Sequence, residues 1–244
     1  QLKKEYYDEK ETRLKSETDY YRGMPHGVHM EFYPSGNVAK KGFYREGKED
    51  SIWIYFYDNG NKKAIERFVR GKKWGTNTYY YSSGVLAQIT KYMNNAADSI
   101  WTSWHENGKL KGRESFVLGT REGEWIYYYD NGQTENKVTY EKNKQSGRGE
   151  SFYKNGKLQG IQNFCNGKAC GRWEEWYENG KKKFVKEYRD STQFLIDLWD
   201  NNGKPLVSGG SGSVTATYEN GIIRAVGKYK GGLPDADWKY FHPN

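Results

Sequence analysis

The side chains that most often carry chemistry are few in this chain. Its 244 residues hold four histidines and two cysteines. His26, His29, His105 and His242 show no metal-ligand spacing, and Cys165 and Cys170 lack the further Cys or His partners that a zinc site needs. His26 and His29 read as variations at a repeat's tryptophan position and its loop, and His105 as the occupant of a tyrosine slot. The run Gly209-Gly210-Ser211-Gly212-Ser213 has no following lysine of a phosphate loop and opens no helix. Carboxylates are plentiful, yet each falls at a turn or surface position and no general acid/base pair is singled out. The expectation is a non-enzyme with no metal and no cofactor. The cysteines offer different chemistry. Cys165-Asn166-Gly167-Lys168-Ala169-Cys170 sets two thiols on either side of one loop, whose closure brings their Cα atoms within disulfide range. A bonded pair points to an oxidising cell-envelope compartment, and two free thiols point to the cytoplasm. A chain beginning at Gln1 fits either a processed mature form, its leader removed, or a trimmed chain.

The elements that position these groups are marked by an aromatic residue every twelve positions, from Tyr20, Phe32 and Tyr44 through Phe164, Trp176 and Tyr188. A fixed period means one small unit copied and stacked. The true repeat is twice as long, because two kinds of turn alternate. Ser35-Gly36, Asn59-Gly60, Ser83-Gly84, Asn107-Gly108, Asn131-Gly132, Asn155-Gly156 and Asn179-Gly180 recur every 24 residues and predict hairpins closed by type I′ turns. Between them fall loops expected to be looser, at Gly47-Lys48, Gly71-Lys72, Gly119-Thr120 and Gly167-Lys168, with Asn95 and Asn143 at the same position elsewhere. The intervening runs, such as Trp53-Ile54-Tyr55-Phe56-Tyr57, have the composition and length of strands.

The predicted fold is therefore all-β: one elongated antiparallel meander of stacked hairpins, growing about 10 Å per repeat to a ribbon on the order of 90 Å long. Residues 1–22 read as a degenerate N-terminal cap, with Thr12 where a turn glycine would fall. Residues 23–203 read as regular repeats and residues 204–244 as irregular terminal ones, all within a single domain spanning 1–244. In that last stretch Lys204 to Ser213 replaces a normal hairpin, either as an edge-blunting cap or as a loop that meets a partner. Asn220-Gly221, Tyr229 and Trp238 follow as a tail unit. Alternation along the strands assigns the core to Phe32, Phe56, Tyr80, Trp104, Tyr128, Phe152 and Trp176, stacked on the aromatics of the return strands. A second row, with tyrosines beside the turns and tryptophans at Trp53, Trp101, Trp125 and Trp173, is the wetter one.

The phrases aromatic-Tyr-x-Asn-Gly and Asn-Gly-Lys-x-x-Gly-x-Trp, together with the run from Gly119 to Gly132, resemble the MORN repeat family, in its bacterial variant form, over about residues 20 to 203. The resemblance implies an extended sheet of hairpins and a role in protein association, membrane attachment or scaffolding. Many bacterial relatives carry an antitoxin label, which the repeat itself does not physically justify.

Hydrophobic residues make up only 35% of the chain while aromatics reach 17%, so a few large side chains must carry the burial. No run approaches the roughly 18 apolar residues of a membrane-spanning helix. The net charge of +8 comes largely from lysines beside turns, a common device for keeping sheet edges unpaired, and interspersed carboxylates argue against nucleic acid as a partner. Asp50-Ser51-Ile52-Trp53 recurs as Asp98-Ser99-Ile100-Trp101, through duplication of a two-hairpin block or as two matching contact points. The leading expectation is a protein-interaction or scaffolding module of a bacterial cell envelope, periplasmic or outer-membrane associated, whose partner is another protein or a membrane-protein complex. Its expected anchors are Trp53, Tyr57, Tyr81, Trp101, Trp125, Tyr129, Trp173 and Tyr177. A cytoplasmic antitoxin and an adaptor making peripheral contact with anionic lipid are the alternatives.

Overall fold

The computed structural model describes residues 1–218, 222–235 and 238–242, so the expected Asn220-Gly221 turn lies outside the described residues. Among the described residues all of the regular structure is β, in an open antiparallel sheet of 26 strands joined as a meander. Aromatic and β-branched residues fill the strands, and glycine or asparagine ends them, as a pleated backbone requires. The chain forms two compact units, residues 1–123 with 130–132 and residues 124–129 with 133–244.

In the first unit one repeat shows the plan of the others. Strand Lys48–Phe56 pairs with Lys62–Val69 through Trp53↔Glu66, Ile54↔Ile65 and Tyr55↔Ala64, then slips by one residue to Phe56↔Lys62. The same slip closes the hairpins at Glu31/Phe32, Tyr79/Tyr80 and Ser103/Trp104. The cap at 1–22 is itself a hairpin, Leu2–Tyr6 against Leu14–Tyr21, with Asp8 accepting hydrogen bonds from the Thr12 amide and hydroxyl and from Arg13 Nε.

The two kinds of turn are the reverse of the sequence expectation. Tyr57 N donates to Asn61 O and Gly60 N to Tyr57 O, enclosing a three-residue loop in which only Gly60 (φ +86°) is left-handed. Asn59 takes no positive φ. Its Oδ1 accepts the Asn61 amide at 3.0 Å, an Asx turn repeated by Asn107, Asn155 and Asn179. Asparagine recurs here for its side-chain acceptor, and the loop is a type I turn ending in a glycine bulge. The loops expected to be loose are the true two-residue type I′ turns. Both central residues are left-handed in Glu46-Gly47 (+51°, +75°), Arg70-Gly71 (+50°, +78°) and Asn94-Asn95 (+54°, +70°).

A further left-handed residue recurs every 24 positions, two before the tryptophan slot, and marks a bulge. Gly27, Gly75, Gly123, Gly147 and Gly171 hold it, but Ser51 and Ser99 (both +62°) carry a side chain there, each hydroxyl bonded to the preceding aspartate. The recurring Asp-Ser-Ile-Trp phrase is therefore a glycine-free version of this bulge.

These loops and bulges overturn the expected stacking. Trp53 and Phe56 lie three residues apart in one strand and so point to opposite faces. The return-strand aromatics meet the tryptophans: Tyr44 and Trp53 have ring centroids 4.8 Å apart, and Trp101 lies 5.1 Å from Tyr92 and 4.7 Å from Phe116. The second unit repeats this with Trp125–Tyr140, Phe164–Trp173 and Trp173–Tyr188. The core row is therefore tryptophan plus return-strand aromatic, and Phe32, Phe56 and their equivalents occupy the other face. Also in the second unit, the Gly/Ser run is neither hairpin replacement nor open loop. Gly209-Gly210 is a tight turn (φ +57°, +81°) and Ser211–Thr217 is a strand paired with Ile223–Lys230. A Cβ on Gly210 would sit 2.5 Å from Gly232 N, so the close approach of two turns requires glycine there.

Candidate functional site

Each repeat has a tryptophan slot, and the structure shows what that slot does. Trp53 is 0% exposed, and Trp125 is also buried. Gly42 on the neighbouring strand leaves the room: a Cβ there would come 2.2 Å from the Trp53 ring. Trp101 and Trp173 are half-buried and direct their indole N–H to the carbonyls of Lys91 and Asn163, at 3.0 and 2.9 Å. Of these four tryptophans, expected to anchor a partner, Trp53 and Trp125 are buried within the sheet, and Trp101 and Trp173 pack against neighbouring rings while remaining partly exposed.

Polar residues fill the slot at His29 and Asn77, and Gly149 holds it in the second unit. His29 is buried opposite Thr18, whose hydroxyl lies 2.7 Å from His29 Nδ1. Burial, helped by the nearby Lys40 ammonium, holds this imidazole below its ordinary pKa. Asn77, fully buried, faces Thr90, and beside them Glu66 accepts hydrogen bonds from Lys73 Nζ (2.5 Å) and the Tyr79 hydroxyl (2.8 Å). Burial opposes the charged Lys73, but its bonds to Glu66 and Tyr79 outweigh that and raise its pKa. Burial pushes Tyr79 up to about 12 and raises Tyr55 as well. Both phenols and the lysine are thereby held in protonated forms, the reverse of an activated nucleophile. Among the described residues no three His, Cys, Asp or Glu side chains converge where a metal ion could sit.

The tyrosines expected as anchors are also committed within the sheet. Tyr57 and Tyr81 donate their hydroxyls at 2.8 Å to the carbonyls of Tyr80 and Trp104, in the next repeat. Tyr129 and Tyr177 do the same to Phe152 and Trp199, and Tyr7, Tyr33, Tyr153 and Tyr218 complete the series. Turn asparagines and lysines add parallel ties, such as Asn59 Nδ2 to Ser82 O and Lys109 Nζ to Asn131 O. The turn lysines thus hold repeats together as well as lending charge. The recurrence of tyrosine two residues before the Ser/Asn-Gly turns, broken only by His105 before Asn107-Gly108, was the available sequence signal for this ladder.

Across the base of several type I′ turns, positions five residues apart are in contact. Arg45 Nε and Asp50 lie 3.6 Å apart, Tyr21 and His26 have ring centroids 5.8 Å apart, and Ser146 donates to Glu141. Cys165 and Cys170 occupy this same position and form a disulfide, with Cα atoms 5.7 Å apart. The bridge is a covalent version of the contact made at Tyr21/His26, Arg45/Asp50 and Glu141/Ser146.

With the aromatic rows accounted for, the surface open to a partner lies elsewhere. Val28, Ile52 and Ile100 each precede a tryptophan-slot residue by one, so they project from the opposite face. Each is about half exposed, as are Val69, Trp74, Met93 and Val117 beside the type I′ turns. The corresponding positions of the second unit are Glu124, Arg148 and Arg172, and Glu141, Cys165 and Arg189. The apolar row therefore belongs to the first unit. Its N-terminal part borders an open groove of about 810 Å³ lined by Tyr21, Arg22, Met24, His26, Arg45, Glu46, Lys48 and Arg70. Sequence reading missed this surface, because its residues are individually ordinary and become a patch only when the sheet sets repeats side by side.

A sequence profile of the MORN repeat variant matches residues 25–46, 97–117, 121–142, 145–166 and 169–190. Repeats of this kind are generally protein- or membrane-binding modules and generally non-catalytic. The matches leave out residues 47–96, where Asn77 replaces the slot tryptophan and Trp74 stands in the loop. No curated protein matches the chain.

Proposed function

Since the chain carries repeats of the MORN variant family, we propose that it is a non-catalytic protein-interaction module that scaffolds an assembly of a bacterial cell envelope. One observation carries the reading: in the first unit Val28, Ile52, Val69, Trp74, Ile100 and Val117 are half exposed, while the second unit holds Glu124, Arg148 and Arg172 at places equivalent to Val28, Ile52 and Ile100, and Glu141 and Arg189 at places equivalent to Val69 and Val117. Exposed apolar residues gathered on one surface mark an interaction site more often than isolated ones do. The ladder of tyrosine and asparagine ties supports the same role, since it fixes the spacing at which a partner's side chains would be received. Placement in the envelope, periplasmic or outer-membrane associated, draws on the Cys165–Cys170 bond, which persists best in an oxidising compartment. A cytoplasmic antitoxin would carry that pair reduced.

The test is cross-linking of the tagged protein in fractionated cells, followed by mass spectrometry. Cross-links from Lys48, Lys72 or Lys91 to one envelope protein, with the disulfide intact, are the expected result. Recovery in the cytosol with reduced cysteines would overturn the placement, and cross-links confined to the second unit would overturn the assignment of the surface.

A further inference from the structure

The groove beside the first three type I′ turns has a chemistry of its own. Arg22, Arg45, Lys48 and Arg70 line it, and Glu46 is its one carboxylate. Tyr21 and Met24, 58% and 49% exposed, form its apolar wall. Two of the cations have fixed neighbours, and two have fixed backbone positions. Arg22 lies over the Tyr21 ring at 5.2 Å, Arg45 is braced by Asp50, and Arg22 and Arg70 sit at the first position of type I′ turns with φ +49° and +50°.

Resting on the protein-interaction reading above, we propose that this groove binds an extended segment of a partner protein in which acidic residues alternate with apolar ones. Carboxylates of such a segment meet the arginines, which favour carboxylate geometry, while its apolar side chains lie against Tyr21 and Met24 and lead on to Val28. Charge complementarity selects this occupant over a second copy of the chain, whose groove would bring four cations against four. Concavity selects it over a membrane: a bilayer surface reaches the rim of a groove, whereas an extended chain fills it.

The probe is a fluorescein-labelled synthetic peptide of about ten residues alternating Glu with Leu and Phe, compared by fluorescence anisotropy with the same peptide carrying Lys for Glu. The variant is Arg22→Glu with Arg70→Glu. Glutamate fits both sites, because Glu46 already holds the equivalent turn position at φ +51°. The expected result is binding of the Glu peptide alone, weakened at least about tenfold by the double substitution and by raising salt from about 50 to about 500 mM. Met24→Ser, at an exposed position, weakens it without altering charge and serves if the arginine pair fails to fold. Equal binding of both peptides, undiminished binding by the variants, or capture by phosphatidylserine vesicles with no binding of the Glu peptide would overturn the proposal. Cross-linking of one envelope protein equally well by parent and double variant would overturn the groove and leave the interaction reading standing.

Discussion

Replacing Tyr33 and Tyr81 by phenylalanine isolates the hydrogen-bonded ladder from everything else the sheet uses. Each hydroxyl donates at 2.8 Å to a main-chain carbonyl of the next repeat, Phe56 O and Trp104 O. Phenylalanine keeps the half-buried ring, so apolar burial is unchanged and the stability difference reports the bond. A net intramolecular hydrogen bond contributes about 1 kcal/mol, and a carbonyl left without its donor in a partly buried place keeps the loss near that figure. The two sites lie two repeats apart, on the order of 20 Å, and share no partner. Their effects should therefore add, to about 2 kcal/mol in the double variant. With a urea slope of about 2 kcal/mol/M, the unfolding midpoint falls by about 1 M while the slope stays constant. Equilibrium unfolding followed by tryptophan emission and far-ultraviolet circular dichroism measures it, with Tyr21→Phe, outside the ladder, as a control that leaves the midpoint in place. A double variant within about 0.3 kcal/mol of the parent would refute the reasoning. Loss of partner capture at unchanged stability would refute it differently, by returning these hydroxyls to a binding face.

Two further perturbations probe the tryptophan slot. Gly42→Ala drives a Cβ to 2.2 Å from the buried Trp53 ring, and with no room for the indole to move it should destabilise the first unit by about 3 kcal/mol, read as a lowered urea midpoint. A midpoint equal to the parent's would mean that Trp53 is not packed as described. At His29 the folded-state pKa is depressed, by burial first, so the unfolded chain binds the proton more readily. The stability tied to this neutral imidazole is complete above the unfolded value of about 6.5 and is lost as pH falls from there toward the lower folded value. His29→Gln should remove that part of the acid sensitivity, seen as a smaller difference between urea midpoints at about pH 7.5 and about pH 5. Parallel pH profiles for parent and variant would count against a buried, neutral His29.

Much of the fold was legible because the repeat is written in large residues. The period of 24, the strands, the cap and the disulfide-compatible spacing follow from the positions of the aromatic, glycine and cysteine residues alone. Turn chemistry was read backwards for a specific reason. Asparagine before glycine serves a type I′ turn through its tolerance of positive φ and an Asx turn through its Oδ1, and Asn59, Asn107, Asn155 and Asn179 use the second. Face assignment failed for a related reason. Each span of twelve residues contains a loop and, in alternate spans, a bulge residue such as Ser51, so equal spacing in sequence does not preserve side-chain direction.

By itself, then, the sequence determined that this protein is a stack of hairpins, since a recurrent aromatic can be buried only by its copies in neighbouring units. It also placed Cys165 and Cys170 within bonding reach. Only the tertiary structure decided which aromatics are internal. Tyr57 and Tyr81 look like anchors along the chain, and become ties once the next repeat's carbonyl arrives beside each hydroxyl. The groove of Arg22, Arg45, Lys48 and Arg70 arises the same way, from residues of three successive repeats whose charges sum only when strand pairing sets them side by side.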